Sequence, residues 1–219
     1  MGAITGVNPL YLILGLSALG LAPFVLMLVT SYVKIVVVTS LIRNALGVQQ
    51  IPPTMVMNGL AIILTIFIMA PAFMDTLRLI EQQRVTGTSS PEEIVRALNN
   101  CSPPLRKFLR DNTSPVILNA FMGTAQRVWP QKMKNDISKE NLLILVPAFS
   151  ITELTHAFQM GFLLYLPFVA IDLIISNILL AMGMMMVSPM TISLPFKILL
   201  FVTLNGWLKI SQGLLLSYH

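Results

Sequence analysis

Apolar residues along this 219-residue chain gather in long stretches, and one polar region separates them. Four stretches, roughly 10–30, 55–73, 162–187 and 192–208, reach the length of about 20 residues that a membrane-spanning helix needs. No segment shows the alternation of apolar and polar residues that is typical of a half-buried β-strand. The pattern therefore predicts an all-α protein of membrane type, built from helical hairpins with a helical polar insertion.

The same pattern divides the chain into three parts. Residues 1–74 form an N-terminal apolar hairpin with two predicted spans, and residues 75–141 form a polar helical region. Residues 142–219 form a C-terminal apolar hairpin with two more spans, which an apolar approach over 142–160 introduces. Charges inside these stretches are costly against lipid, so the helices are expected to pack largely on protein.

Helix-start signals recur in the polar region. Ser90 followed by proline and two glutamates predicts a helix over 90–98, after a flexible loop over 85–89. The Cys-Ser-Pro-Pro sequence at 101–104 breaks that helix and precedes a short basic turn or helix over 105–110. Ser114 and Pro115 open a further helix that is expected to run to about Val128.

A short polar connection over 43–53 joins the two helices of the first hairpin. Gly47 is expected to end the first long helix, and the two prolines at 52–53 to open the next. This connection is either a simple hairpin turn or, through Arg43, Gln49 and Gln50, a contact with a partner.

Composition places the chain among membrane-associated proteins. It is 55% hydrophobic and only 11% charged, with a mean hydropathy of +0.79, whereas globular domains carry about 25% charged residues. Ten of the fourteen Lys and Arg lie within 78–139, interleaved with acids, so the net charge of +5 indicates a solvated surface and not a nucleic-acid site. Cys101 is alone, which excludes an internal disulfide and a cysteine metal site. No basic residue precedes the first apolar stretch, so the pattern of a cleaved signal peptide is missing.

The basic residues in short connections predict an orientation. Lys34 and Arg43 lie between the first two stretches, and Lys197 follows the third. The positive-inside rule places both connections in the cytoplasm, so the polar region and both termini face the other side.

Glu153 and His156 stand three residues apart in apolar surroundings and share a helix face. Glu153 is either the returning carboxylate of a capping box that begins at Ser150, or a buried partner for a basic residue on a neighbouring subunit. A metal site built with His156 and Asp172 would need further ligands. No catalytic motif or cofactor motif is present, so no enzyme activity is expected.

Asp172 is a lone acid inside the third stretch. An acid in that position is a functional candidate, either as a proton carrier or as a hydrogen-bonding partner for a neighbouring helix. Ser176 and Asn177, one turn further along, favour the packing role.

Methionines concentrate at the end of the third stretch, where five of the fourteen fall within 182–190. Methionine is a common filler of membrane helices. A cluster at a helix end can also close an irregular gap and still yield when something pushes through, because the thioether side chain repacks easily.

Four motifs carry a resemblance to a known family: LIRNALGVQQIPP at 41–53, PAFSITELTHAFQMGF at 147–162, the stretch from 171 to AMGMMMVSP at 181–189, and LPFK at 194–197. Together they cover essentially the whole chain, which resembles the R subunit of the type III secretion export apparatus, the FliP/SctR family. The missing signal-peptide pattern resembles the virulence, or injectisome, branch.

The resemblance implies a homo-oligomer, a pentamer, that assembles with S and T subunits in the bacterial inner membrane, beside the large export-gate subunit and the U subunit. This assembly would admit unfolded secreted proteins to the secretion channel, contact membrane lipid and bind no cofactor. Met184, Met185 and Met186 match the family's pore gate. The polar residues expected at subunit contacts are Glu153, Asp172, Arg43, Gln49, Gln50 and Lys197.

A proton-coupled secondary transporter, with Asp172 or Glu153 as the proton carrier, is the competing interpretation. It predicts function without S or T partners.

Overall fold

The computed structural model describes residues 9–48, 51–82 and 102–218, and every regular element within these ranges is a helix. The all-α prediction is therefore confirmed. The helices are α1 (Pro9–Val29), α2 (Tyr32–Leu46), α3 (Thr54–Gln82), α4 (Pro103–Asp111), α5 (Pro115–Val128), α6 (Gln131–Lys134), α7 (Leu142–Ala181), α8 (Pro189–Thr203) and α9 (Gly206–Leu216).

Proline and glycine signals place several of these boundaries as the sequence predicts. α2 ends at Gly47, whose φ of 73° is left-handed, and α3 begins just after the two prolines at 52–53. Pro103 and Pro115 occupy the first turns of α4 and α5. The predicted helix over 90–98, the loop over 85–89, Cys101, Gln49 and Gln50 lie outside the described residues.

α2 is the central helix of the chain. It packs most extensively against α7 and also contacts α3, while an 80° bend separates it from the second part of α1. One apolar core is formed by residues of α2, α3, α7, α8 and α9: Ile35, Val38, Ile42, Ala45, Leu46, Ala61, Ala157, Phe168, Phe201 and Leu214. The two hairpins thus share a common interior.

A second core lies beneath the polar region. It joins the end of α1, helices α4 and α5, and the first third of α7, through Val29, Leu109, Leu118, Ala125, Ile144, Leu145, Ala148 and Phe149. The 40-residue α7 therefore packs on both cores, although prolines occupy positions 147 and 167. The stretch predicted over 162–187 and its apolar approach form this one continuous helix as far as Ala181, and residues 182–187 lie beyond its end.

Two helices, α3 and α7, are long and apolar enough to cross a membrane, and up to four spans result if each bent helix pair counts as one. The stretch predicted as a single span over 192–208 forms the second of these bent pairs instead of one straight helix. A bend of 59° divides it, because α8 ends at Thr203 and α9 begins at Gly206 after Asn205 in the left-handed conformation. These apolar helices make the chain a membrane protein.

Large apolar side chains line the outer faces of α3 and α7. Examples with at least half of their surface exposed are Ile62, Ile63, Ile66, Phe67, Phe162, Leu163, Leu173 and Ile174. Apolar patches of this extent mark contacts with a membrane or with other protein.

Candidate functional site

The methionine cluster lies in the connection between α7 and α8, residues 182–188, which we call the methionine loop. α7 ends in a Schellman motif, in which the Met184 amide donates to the Leu179 carbonyl at 2.9 Å and the Gly183 amide to the Leu180 carbonyl at 3.0 Å. Gly183 has a φ of 73°, a backbone conformation that residues with a Cβ rarely adopt. The end of α7 and the start of the loop are therefore geometrically well defined.

The three central methionines point away from the interior of the chain. The exposed fraction is 43% for Met184, 81% for Met185 and 101% for Met186. Ser188 and Pro189 then begin α8. The loop thus presents three flexible thioether side chains on the outside of a defined turn, available to whatever lies opposite.

Asp172 of α7 pairs with Lys197 of α8, on the helices that lead into and out of the methionine loop. The Lys197 ammonium lies 2.6 Å from Asp172 Oδ2, and the side chains are 2% and 37% exposed. Ser193 donates to Asp172 Oδ1 at 2.5 Å. Asp172 therefore has the helix-to-helix hydrogen-bonding role that Ser176 and Asn177 favoured, although its partners are Ser193 and Lys197.

Glu153 of α7 forms a second ion pair, with Lys34 of α2. The Lys34 ammonium lies 3.0 Å from Glu153 Oε1, and the two side chains are 3% and 1% exposed. The capping-box prediction is wrong, because α7 begins at Leu142 and both Ser150 and Glu153 lie inside it, and Ser150 donates instead to the carbonyls of Val146 and Leu28. Glu153 thus has a lysine of the same chain as its partner, and its contact with a neighbouring subunit stays a prediction.

Tyr218 contacts both members of this second ion pair. Its hydroxyl donates to Glu153 Oε2, and the Lys34 ammonium lies 3.8 Å from the centre of its ring, a cation–π contact. The ring also stacks on Phe108 of α4 at 5.9 Å, and Lys34 donates to Ser217 at 3.4 Å. One aromatic residue thus joins the two hairpins to the polar region.

The environment of Tyr218 changes its protonation. Burial, together with the charge of Glu153 and the hydrogen bond to it, raises the pKa of the Tyr218 hydroxyl above its ordinary value. The phenol therefore stays protonated and can donate to the carboxylate over the physiological pH range.

The other predicted polar residues occupy separate positions. Arg43 donates to Thr54 at 3.0 Å and to the Pro52 carbonyl at 3.5 Å, which ties the ends of the α2–α3 connection together. His156 lies with Glu153 at the wall of a cleft of about 340 Å³. Among the described residues, no group of three or more His, Cys, Asp or Glu is arranged to hold a metal ion.

The sequence pattern alone predicts no pairing role for Lys34 or Tyr218. Lys34 interrupts an apolar pattern that continues over 35–38, and this interruption was the available signal for a buried cation. Tyr218 carried no comparable signal, because its partners lie far away along the chain.

This combination of spanning helices, buried ion pairs and a methionine loop defines a helical membrane subunit, and comparison with known proteins gives its family. A model of the FliP family matches residues 15–214, and the chain belongs to this family of type III secretion R subunits. It is 50% identical over 207 residues to Yop proteins translocation protein R of Yersinia pestis, which covers 94% of this chain and 95% of the relative.

Two further relatives extend the comparison. Virulence protein YscR of Salmonella typhimurium is 47% identical over 202 residues, covering 91% of this chain and 92% of the relative. Harpin secretion protein HrcR of Erwinia amylovora is 44% identical over 211 residues, covering 96% and 97%. The resemblance predicted from the sequence is confirmed, and the chain is a subunit of a type III secretion apparatus.

Proposed function

We propose that this protein is a core subunit of the type III secretion export gate. Several copies, a pentamer, would form a ring with S and T subunits at the start of the secretion channel, next to the large export-gate subunit and the U subunit. Unfolded substrate proteins would pass through the ring. The observation that carries the proposal is the outward projection of Met184, Met185 and Met186 from a defined turn.

Thioether side chains suit a reversible seal. In a ring of copies, each methionine loop would contribute three of them to a shared constriction. An apolar constriction closes by dewetting, and methionine repacks at low cost when a substrate displaces it. The subunit would make and break no covalent bond, so the energy for transport must come from other components.

The exposed apolar faces of α3 and α7 support assembly into a larger complex. Much of this surface would contact neighbouring subunits, and the remainder lipid, in the bacterial inner membrane. The polar region would lie on the periplasmic side, as Arg43 at the connection between α2 and α3 predicts. Lys34 and Lys197, which the sequence pattern also assigned to cytoplasmic connections, lie buried inside α2 and α8, and Lys34 lies beside the polar region.

The first experiment is native mass spectrometry of the protein co-expressed with its S and T neighbours and extracted in detergent. A discrete complex with several copies of this chain and one T subunit is the expected result. A stable monomer or dimer that does not bind the S and T subunits would contradict the proposal and favour the proton-coupled transporter.

The gate itself is tested by conductance. We expect the complex with Met184, Met185 and Met186 all changed to serine to assemble normally and to leak ions at rest when reconstituted in a bilayer. The matched control replaces Met55 and Met74, which are exposed on α3, with serine. Equal resting conductance in the loop variant and the control would place the seal elsewhere.

A further inference from the structure

Lys197 is one buried ammonium that joins three helices. It belongs to α8, lies 2.6 Å from Asp172 on α7, and donates to the carbonyl of Ala45 near the end of α2 at 3.2 Å. Only 2% of the Lys197 side chain is exposed, so water has little access to the ammonium itself, whereas Asp172, at 37%, remains partly solvated. This single cation therefore links α8 to both α7 and α2.

The turn at Gly47 lies against the same part of α8. A carbon placed at the Cβ position of Gly47 would lie 3.8 Å from Leu194 Cδ1 and 4.0 Å from both Met190 Cγ and Lys197 Nζ. Met190 belongs to the first turn of α8, directly after the methionine loop. The turn that follows α2 thus lies close to the first turn of α8, just after that loop.

Ser193 links the upstream and downstream sides of the loop. Its hydroxyl donates to Asp172 Oδ1 on α7 and lies 3.2 Å from the Met190 carbonyl on α8. Asp172, Ser193 and Lys197 together connect both helices that flank the loop, and Lys197 alone extends the connection to α2.

We propose that Lys197 is a positioning residue of the methionine loop. It holds the two flanking helices against the end of α2 and so sets the direction in which Met184, Met185 and Met186 project. The effect of Lys197 on a resting seal rests on the proposed function, whereas its effect on the position of the methionine loop does not.

The test measures loop position directly. Spin labels are attached at Met186→Cys and Val56→Cys, both exposed, in a Cys101→Ser background, and their distance distribution is measured by pulsed electron paramagnetic resonance in the assembled complex. Labelled chains are diluted with unlabelled chains. We expect Lys197→Met to broaden the distribution and Lys197→Arg to restore it. An unchanged distribution in Lys197→Met would overturn the proposal.

A charge exchange separates a simple ion pair from the three-helix connection. Asp172→Lys with Lys197→Asp keeps opposite charges on α7 and α8, but aspartate is shorter than lysine and has no proton to donate to the Ala45 carbonyl. We expect this double variant to give a distance distribution as broad as that of Lys197→Met. A distribution as narrow as that of the wild type would overturn the role given to the contact with α2.

Two further variants guard against misfolding. Ser193→Ala removes one hydrogen bond and is expected to broaden the distribution less than Lys197→Met does; no broadening would count against the proposal. Lys209→Met makes the same substitution at an exposed lysine of α9 and should leave the distribution unchanged. Broadening there would show that the effect is not specific to Lys197.

Resting conductance then connects loop position to the seal. For Lys197→Met we expect about a tenfold increase, the order of change that losing one charge-assisted hydrogen bond makes in an opening equilibrium. The conductance of the methionine-to-serine complex tests the proposed gate separately. A broad distance distribution in Lys197→Met, together with an unchanged resting conductance in the methionine-to-serine complex, would contradict the gate but support the positioning role of Lys197.

Discussion

Lys34 on α2 and Glu153 on α7 form an ion pair inside the chain, with the ammonium 3.0 Å from the carboxylate and both side chains almost completely buried. Two charges withdrawn from water are costly, and their attraction offsets that cost only when the surrounding groups complete the hydrogen bonding. Tyr218 and Ser217 supply part of that completion. The pair is therefore a vulnerable point of the fold.

Glu153→Gln should destabilise the protein by about 3–5 kcal/mol, because it leaves the Lys34 charge buried without a counter-charge. Thermal unfolding in detergent measures this. The control is Glu140→Gln, which removes an exposed partner of Arg110 and should cost less than about 1 kcal/mol. Equal shifts in melting temperature for the two variants would contradict the buried role of Glu153.

The buried pair should be replaceable as a unit. Lys34→Met with Glu153→Leu removes both charges, and adding Tyr218→Phe removes the hydroxyl that would otherwise lose its acceptor. We expect this triple variant to recover most of the stability lost in Glu153→Gln, since apolar replacements of buried ion pairs are often neutral. A triple variant as unstable as Glu153→Gln would argue that the charges themselves are needed for the fold.

Tyr218 should make stability depend on pH in the alkaline range. Tyr218 lies outside the spanning segments, and its pKa is raised in the folded chain, whereas the unfolded phenol titrates near 10. Below pH of about 10 both states keep the proton. Above it the unfolded state loses the proton first, so the free energy of unfolding falls by up to about 1.4 kcal/mol per pH unit.

Melting temperatures of the wild type and Tyr218→Phe, measured between neutral and strongly alkaline pH, isolate this effect. Phenylalanine keeps the contacts with Phe108 and Lys34 but cannot titrate. The stability difference between the two proteins should therefore shrink as the pH rises. A constant difference over the whole range would mean that Tyr218 does not keep its proton in the folded chain.

Gly183→Ala should strain the start of the methionine loop. The φ of 73° costs a residue with a Cβ about 1–2 kcal/mol, whereas asparagine tolerates this conformation better. We expect Gly183→Ala to lower the melting temperature and to raise resting conductance more than Gly183→Asn does. Asparagine adds more bulk than alanine and both side chains would enter open space, so an effect of Gly183→Asn as large as that of Gly183→Ala, or larger, would indicate sterics instead of backbone strain.

The orientation across the membrane is open to chemical labelling. α7 has 40 residues and so measures about 60 Å, and it separates the polar region from the methionine loop. In a Cys101→Ser background, Val116→Cys should react with an impermeant maleimide from the periplasmic side and Met186→Cys from the cytoplasmic side. Reaction of both from one side would overturn the orientation that the basic connections predict.

Several features of this protein follow from the sequence alone. Long apolar stretches determine that it is helical and membrane-embedded, because an unpaired backbone amide is not tolerated in lipid. Proline and glycine determine local boundaries such as the end of α2 and the starts of α4 and α5, since they act through their own backbone torsions. The motifs at 41–53, 147–162 and 181–189 were also sufficient to indicate the family.

The partners of the buried charges were decided only by the tertiary structure. The capping-box pattern around Glu153 is a local signal, but the extension of α7 back to Leu142 placed the residue in mid-helix and opposite Lys34. The sequence around Asp172 predicts a hydrogen bond to another helix, but it does not predict that the partners are Ser193 and Lys197. Pairings between distant residues depend on which helix faces meet, and local sequence pattern specifies a face but not its neighbour.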